Sequence, residues 1–71
     1  MPEHYRRRVL GLLLTLRENP VPAEYYDVRK LRGYTDIYRV RIGDIRVIYE
    51  ILWEEREVDV LLVEWRRRAY R

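Results

Sequence analysis

Apolar residues near the start of the chain recur at helical spacing. Tyr5, Val9, Leu12, Leu13 and Leu16 fall on one stripe, as a helix packed on one side requires. Pro2 suits a first turn, and Glu3 favours the positive end of the helix dipole. Asn19-Pro20 ends the pattern, because the residue before proline avoids the helical region. The spacing predicts a helix over residues 2–19. Leu10 and Leu14 lie roughly 100° or more from the centre of the stripe, at about 100° per residue. They form a second apolar strip on the helix back, a contact for another helix from a second copy or a partner protein. The period then shortens. TDIYRVRI, DIRVIYEILW and EVDVLLVEW are rich in Val, Ile and Tyr, and the first two alternate, so all three read as strands. Residues 25–31 offer a fourth, shorter strand, and Gly33 marks a turn. The expected fold is α+β: an N-terminal helix packed on one face of an antiparallel β-meander of three strands, or four with the short one.

Turn chemistry sets the register. Gly43-Asp44 reads as a two-residue hairpin turn with glycine first. Ile42 then pairs with Ile45, Arg41 with Arg46, Val40 with Val47, Arg39 with Ile48 and Tyr38 with Tyr49. Directly opposed residues share a face. Tyr38, Val40, Ile42, Ile45, Val47 and Tyr49 can therefore pack on the helix, while Arg39, Arg41 and Arg46 gather on the other face. Like charges directly opposite on adjacent strands destabilise a sheet, so an Arg41–Arg46 pair asks for a negative counter-charge. Glu54–Glu57 reads as the loop of the second hairpin. That loop pairs Trp53 with Val58 and brings Trp65 beside Arg46 on the open face, with Glu50 and Asp59 at its other end. A solvated face with Glu50 or Asp59 paired to the arginines is the plainer alternative.

Composition sharpens this picture. The chain has 71 residues, which suits one small domain with a marginal core that a partner often completes. No cysteine is present, so disulfides and thiolate metal sites play no part. No apolar run has the length of a membrane span, and the first residues do not resemble a signal peptide. A cytoplasmic protein is expected. The net charge is +3, from 15 basic and 12 acidic residues, and Lys30 is the only lysine. An arginine-preferring genome would explain that ratio but not the clustering. The final RRRAYR carries Arg66, Arg67, Arg68 and Arg71 without an acid. Guanidiniums match phosphate geometry and stack on bases. Interleaved with Trp65 and Tyr70, they suit a single-stranded nucleic acid.

The chemistry open to such a surface is narrow. His4 is the only histidine, serine is absent, and the carboxylates show no metal-ligand spacing. A hydroxyl–histidine triad, a metal centre and a glycine-rich phosphate loop are all unsupported. RNA cleavage needs none of these and no cofactor, since RNA supplies its own 2′-hydroxyl nucleophile. Positioned guanidiniums would stabilise the charge that develops on phosphorus. Arginine is a poor general base, because it stays charged at neutral pH.

The run KLRGYTDIYRVRIGDIRVIYEI followed by VLLVEWRRRAYR resembles the carboxy-terminal half of the RelE/ParE toxin superfamily. Those proteins commonly read KL-x-G, then YR-x-R-x-GD-x-R-V-x-Y, then a strand ending in Gly-His-Arg. The resemblance covers roughly residues 9–71 and implies a minimal RelE-like fold. It implies a ribosome-dependent mRNA endonuclease, metal-independent, that inhibits translation by cutting the message in the decoding site. It also implies a RelB-like antitoxin as partner. Carried over by position, Arg39 and Arg41 would contact the message, Arg46 would stabilise the transition-state charge, and Arg66 would contact phosphate or donate a proton. Tyr70 would stack on or orient the substrate. Arg67, Arg68, Arg71 and Trp65 would add RNA contacts. Two departures stand out. Glu64-Trp65 replaces the usual Gly-His, which puts a negative charge near the site and removes a ring that exchanges protons. The family usually opens with a strand and a first helix that completes a helical hairpin, whereas this chain starts at what resembles the second helix, and the missing first strand would leave a sheet edge open to a partner. Leu10 and Leu14 are then expected to contact the antitoxin or a second copy. A non-catalytic RNA- or ribosome-binding module, or an inactive shortened relative of RelE, is the alternative. A ParE-like gyrase inhibitor ranks third, because such members tend not to keep the full basic set.

Overall fold

The computed structural model describes residues 1–66. One helix, α1 (Glu3–Glu18), precedes four strands: β1 (Asp27–Lys30), β2 (Ile37–Ile42), β3 (Ile45–Leu52) and β4 (Glu57–Trp65). The strands form a single antiparallel sheet in the order β1-β2-β3-β4. The expected fold class holds, and the short fourth strand is real. Among the described residues no helix is long and apolar enough to cross a membrane.

The helix ends where Asn19-Pro20 predicts. Asn19 turns to extended backbone, and its N–H still donates to the Thr15 carbonyl at 2.8 Å. The apolar stripe faces the sheet. Leu12 and Leu16 are buried, and Tyr5, Val9 and Leu13 pack around them. From the sheet come Val40, Ile42, Ile45, Val47, Tyr49 and Ile51, all at most 3% exposed. On β3 buried and half-buried residues alternate along the whole strand, as a strand covered on one face requires. Tyr49 brings one polar group into this core. Its hydroxyl donates to the Pro20 carbonyl at 2.7 Å, tying the sheet to the chain just after the helix.

The first hairpin has the register that its turn dictates, from Ile42 opposite Ile45 to Tyr38 opposite Tyr49. Gly43 adopts φ +55°, which favours glycine. A second constraint acts there. A Cβ on Gly43 would sit 2.9 Å from a ring carbon of Tyr5, so the first turn of α1 packs directly over the hairpin tip.

The second hairpin differs from expectation. Leu52 pairs with Glu57, so the loop is Trp53–Arg56 and Glu57 already belongs to β4. Arg56 takes the left-handed conformation with φ 56°. No glycine marks this position, which hides the turn from a reading of the residues. Trp53 leaves the ladder, and its indole N–H donates to Asp36 at 3.1 Å. Further along, β4 carries a β-bulge. Val60 is opposite Tyr49, but Leu62 is opposite Ile48, so Leu61 is an extra residue. Beyond it Glu64 stands opposite Arg46, and Trp65 opposite Ile45. Trp65 therefore lies on the core side and packs against the buried cluster. The expected place beside Arg46 on the open face is corrected. An unbulged β4 would point Glu64 at the core beside Ile45, and a buried unpaired carboxylate is costly. The bulge puts the tryptophan inside and the acid outside.

Candidate nucleic-acid interface

The face of the sheet away from α1 carries the arginines. Asp27 of β1, Arg41 of β2, Arg46 of β3 and Glu64 of β4 are successive cross-strand partners in one row. Arg29, Arg39, Ile48 and Leu62 make the neighbouring row. Arg39, Arg41 and Arg46 are thus gathered on one face. The predicted opposition of Arg41 and Arg46 is present, and an acid stands at each end of its row.

The counter-charges are not those that simple alternation suggests. Arg39 is the least exposed of the charged side chains that pair here, at 14%, and it donates to Asp27 at 3.2 Å. Arg29 approaches the same carboxylate at 3.9 Å. Arg46 donates from its terminal nitrogen to Glu64. Glu50 and Asp59 pair across the strands with each other instead. No hydrogen bond or ion pair joins the Arg41 side chain to another described residue, and Arg41 is exposed. The Nε–H groups of Arg39 and Arg46 are buried without a protein acceptor among the described residues. An anion from solvent must therefore meet these guanidiniums at their terminal nitrogens.

The face is electrically asymmetric. The arginines lie towards the Gly43-Asp44 tip. At the other end Glu50 opposes Asp59, and Glu57 follows on β4. A hydrogen bond with Asp59, together with its charge, raises the Glu57 carboxyl above its ordinary value. Phosphate would be attracted to one end and repelled from the other. Arg66 belongs to the attractive end. Its backbone N–H donates to the Asp44 carbonyl at 2.9 Å, beside the hairpin tip, and the residue is exposed.

Of the residues singled out by sequence, Arg39, Arg41, Arg46 and Arg66 come together at this end of the sheet. Trp65 does not join them, because its ring is on the core side. Arg67, Arg68, Tyr70 and Arg71 lie outside the described residues. Leu10 and Leu14 are 58% and 53% exposed, on the outer side of α1 as predicted. The Glu64 charge was expected near the site, but neither its pairing with Arg46 nor that of Asp27 with Arg39 was foreseen. The adjacent Leu61-Leu62 in VDVLLVEW breaks the alternation of β4, and that break was the available signal for Glu64. Asp27 had only a weak signal, since β1 is four residues long. The edge strand β4 exposes Val60, Leu61, Leu62 and Val63, each at least 40%. Between this strand and α1 runs a groove of about 750 Å³, lined by Leu13, Leu16, Trp53, Val58 and Val60 among others.

The same architecture occurs in proteins already described. The profile of the family described as "ParE toxin of type II toxin-antitoxin system, parDE" matches residues 2–70. RelE1 of Methanocaldococcus jannaschii is 37% identical over 71 residues, which are 100% of this chain and 79% of that protein. A chain in the crystal structure of the archaeal RelE–RelB complex from Pyrococcus horikoshii OT3 superposes with a TM-score of 0.82. It is 41% identical, and the match covers 97% of this chain and 81% of that one. Fold, arginine face and these likenesses agree: the chain belongs to the RelE/ParE superfamily of toxins from type II toxin–antitoxin systems.

Proposed function

We propose that this chain is a RelE-type toxin that cuts messenger RNA on the ribosome and so inhibits translation in the cytoplasm. The observation that carries the reading is the gathering of Arg39, Arg41 and Arg46 on one face, with Arg66 at the same end. The RNA supplies the chemistry. Its 2′-hydroxyl gives up its proton to solvent and attacks the adjacent phosphorus, and negative charge accumulates on the phosphoryl oxygens. The bond to the 5′-oxygen breaks as that oxygen takes up a proton from solvent, leaving a 2′,3′-cyclic phosphate and a 5′-hydroxyl. Arg41 and Arg46 face that charge from neighbouring strands and stabilise it more than the ground state. Arg39, held by Asp27, keeps the positions of its neighbours and adds positive potential. Arg66 meets the phosphate from the hairpin tip, and Tyr70 orients the substrate. Arg67, Arg68 and Arg71 hold the backbone. The ribosome supplies the in-line geometry that so small a surface cannot impose alone.

The partner of this toxin is a RelB-like antitoxin, a reading supported by the likeness to a chain solved in a RelE–RelB complex. Leu10 and Leu14 on the back of α1 serve as a contact between two copies of the chain or with that antitoxin.

The test is a cleavage assay with purified protein and ribosomes programmed with a defined message. Cleavage in the decoding site is expected, and Arg46→Ala or Arg66→Ala should abolish it. Intact message at high protein concentration would refute the reading. RNA binding that is steeply salt-dependent without cleavage would point instead to a binding module. The family profile carries the ParE description, which favours gyrase inhibition as the second reading. A DNA supercoiling assay decides between them, because a ParE-type protein arrests gyrase and leaves messages intact.

A further inference from the structure

We propose that Glu64 is an internal counter-anion of the arginine face, and that an RNA phosphate fully engages Arg46 only by displacing it. The proposal rests on the reading of this face as an RNA-binding surface. A guanidinium grips phosphate best through two parallel N–H bonds. Arg46 has two ways to present such a fork, one using Nε and one using both terminal nitrogens. The Nε–H is buried, so only the terminal pair can reach a ligand. Glu64 occupies one member of that pair, Nη2. With Glu64 in place, one of the four terminal N–H groups is taken, and a phosphate that bridges both terminal nitrogens must share Nη2 with a carboxylate that repels it.

The contact is built to be exchangeable. The Arg46 and Glu64 side chains are 43% and 40% exposed, so water and salt compete for both. Arg39 behaves differently. It is nearly enclosed, and Asp27 holds it as part of the sheet. The local backbone also serves the Glu64 contact, since the extra residue Leu61 in β4 sets the register that turns Glu64 towards Arg46. In the free protein Glu64 offsets the repulsion between Arg41 and Arg46. With RNA bound, phosphate takes over that role.

Fluorescence anisotropy with a short, uncleavable 2′-O-methyl RNA tests the idea across a salt titration of the full chain. Wild type, Glu64→Gln, Arg46→Ala and the double variant are compared. Glu64→Gln should tighten binding about three- to tenfold at ~0.1 M salt. The slope of log affinity against log salt should steepen by about 0.7, the signature of one more phosphate neutralised on a single strand. Both gains should vanish in the Arg46→Ala background. Glu64→Asp, which keeps the charge, should bind more like wild type. Glu64→Thr is a second neutral variant that suits a strand, should Glu64→Gln not fold. Unchanged or weaker binding by the folded neutral variants overturns the proposal. So does a gain of equal size in the Arg46→Ala background, since that would be diffuse charge rather than displacement. If wild type binds too weakly to measure, binding that appears in Glu64→Gln supports the proposal, and its absence overturns it. Failure of the underlying reading looks different: wild-type binding would be insensitive to Arg41→Ala and Arg46→Ala alike.

Discussion

Tyr49→Phe removes one oxygen from the centre of the core and should produce a stability loss whose size depends on pH. Tyr49 is fully buried, and its hydroxyl donates to the Pro20 carbonyl at 2.7 Å. Phenylalanine fills the same space but leaves that carbonyl without its donor, which costs about 1–2 kcal/mol. A second effect follows from ionisation. Burial, with the neighbouring Tyr38 adding to it, pushes the Tyr49 hydroxyl up to about 12, whereas an unfolded tyrosine titrates near ~10. The folded chain therefore holds this proton to higher pH than the unfolded chain does. The stability linked to it is present in full below about pH 10 and is lost as pH rises through about 12. By about pH 11 wild type should have lost roughly 1 kcal/mol through this group alone. The variant has no such group to ionise. Urea unfolding of both proteins, followed by circular dichroism, should show a deficit of about 1–2 kcal/mol in the variant near pH ~8 that shrinks towards zero near pH ~11. A deficit that does not change with pH would refute the linkage. No deficit near neutrality would refute the hydrogen bond as a contributor to the fold.

Gly43→Ala should destabilise the chain by about 1–2 kcal/mol, because alanine at φ +55° is strained and its Cβ meets the Tyr5 ring. Thermal unfolding measures the loss, and the steric share should disappear in a Tyr5→Ala background. Leu10→Gln combined with Leu14→Gln should convert a dimer to a monomer in light scattering, if two copies meet through the back of α1. Both side chains are exposed in the single chain, so unfolding of the monomer should change by no more than about 0.5 kcal/mol for each.

The arginine face was legible because strand alternation and a glycine turn are local signals. Gly43 sets the pairing, pairing sets the face, and the face collects Arg39, Arg41 and Arg46 without reference to anything distant. The acids that balance them were not legible in the same way. Asp27 precedes its partner Arg39 by twelve positions and sits on a strand of four residues with little apolar content. Glu64 and Trp65 depend on a loop that ends in a left-handed arginine and on a bulge at Leu61. A one-residue error in register moves every side chain to the opposite face. The misplaced Trp65 is that error.

The residue order alone settled the helix, its two apolar strips, the first hairpin and the identity of its outward arginines. These follow from periodicities of 3.6 and 2, and from the conformational limits of proline and glycine, which act within a few residues. The tertiary structure decided which carboxylates restrain the arginines and which way Glu64 and Trp65 point. Those choices rest on a core that accepts the tryptophan and excludes the acid. That preference exists only once α1 and the sheet have closed over the same apolar volume.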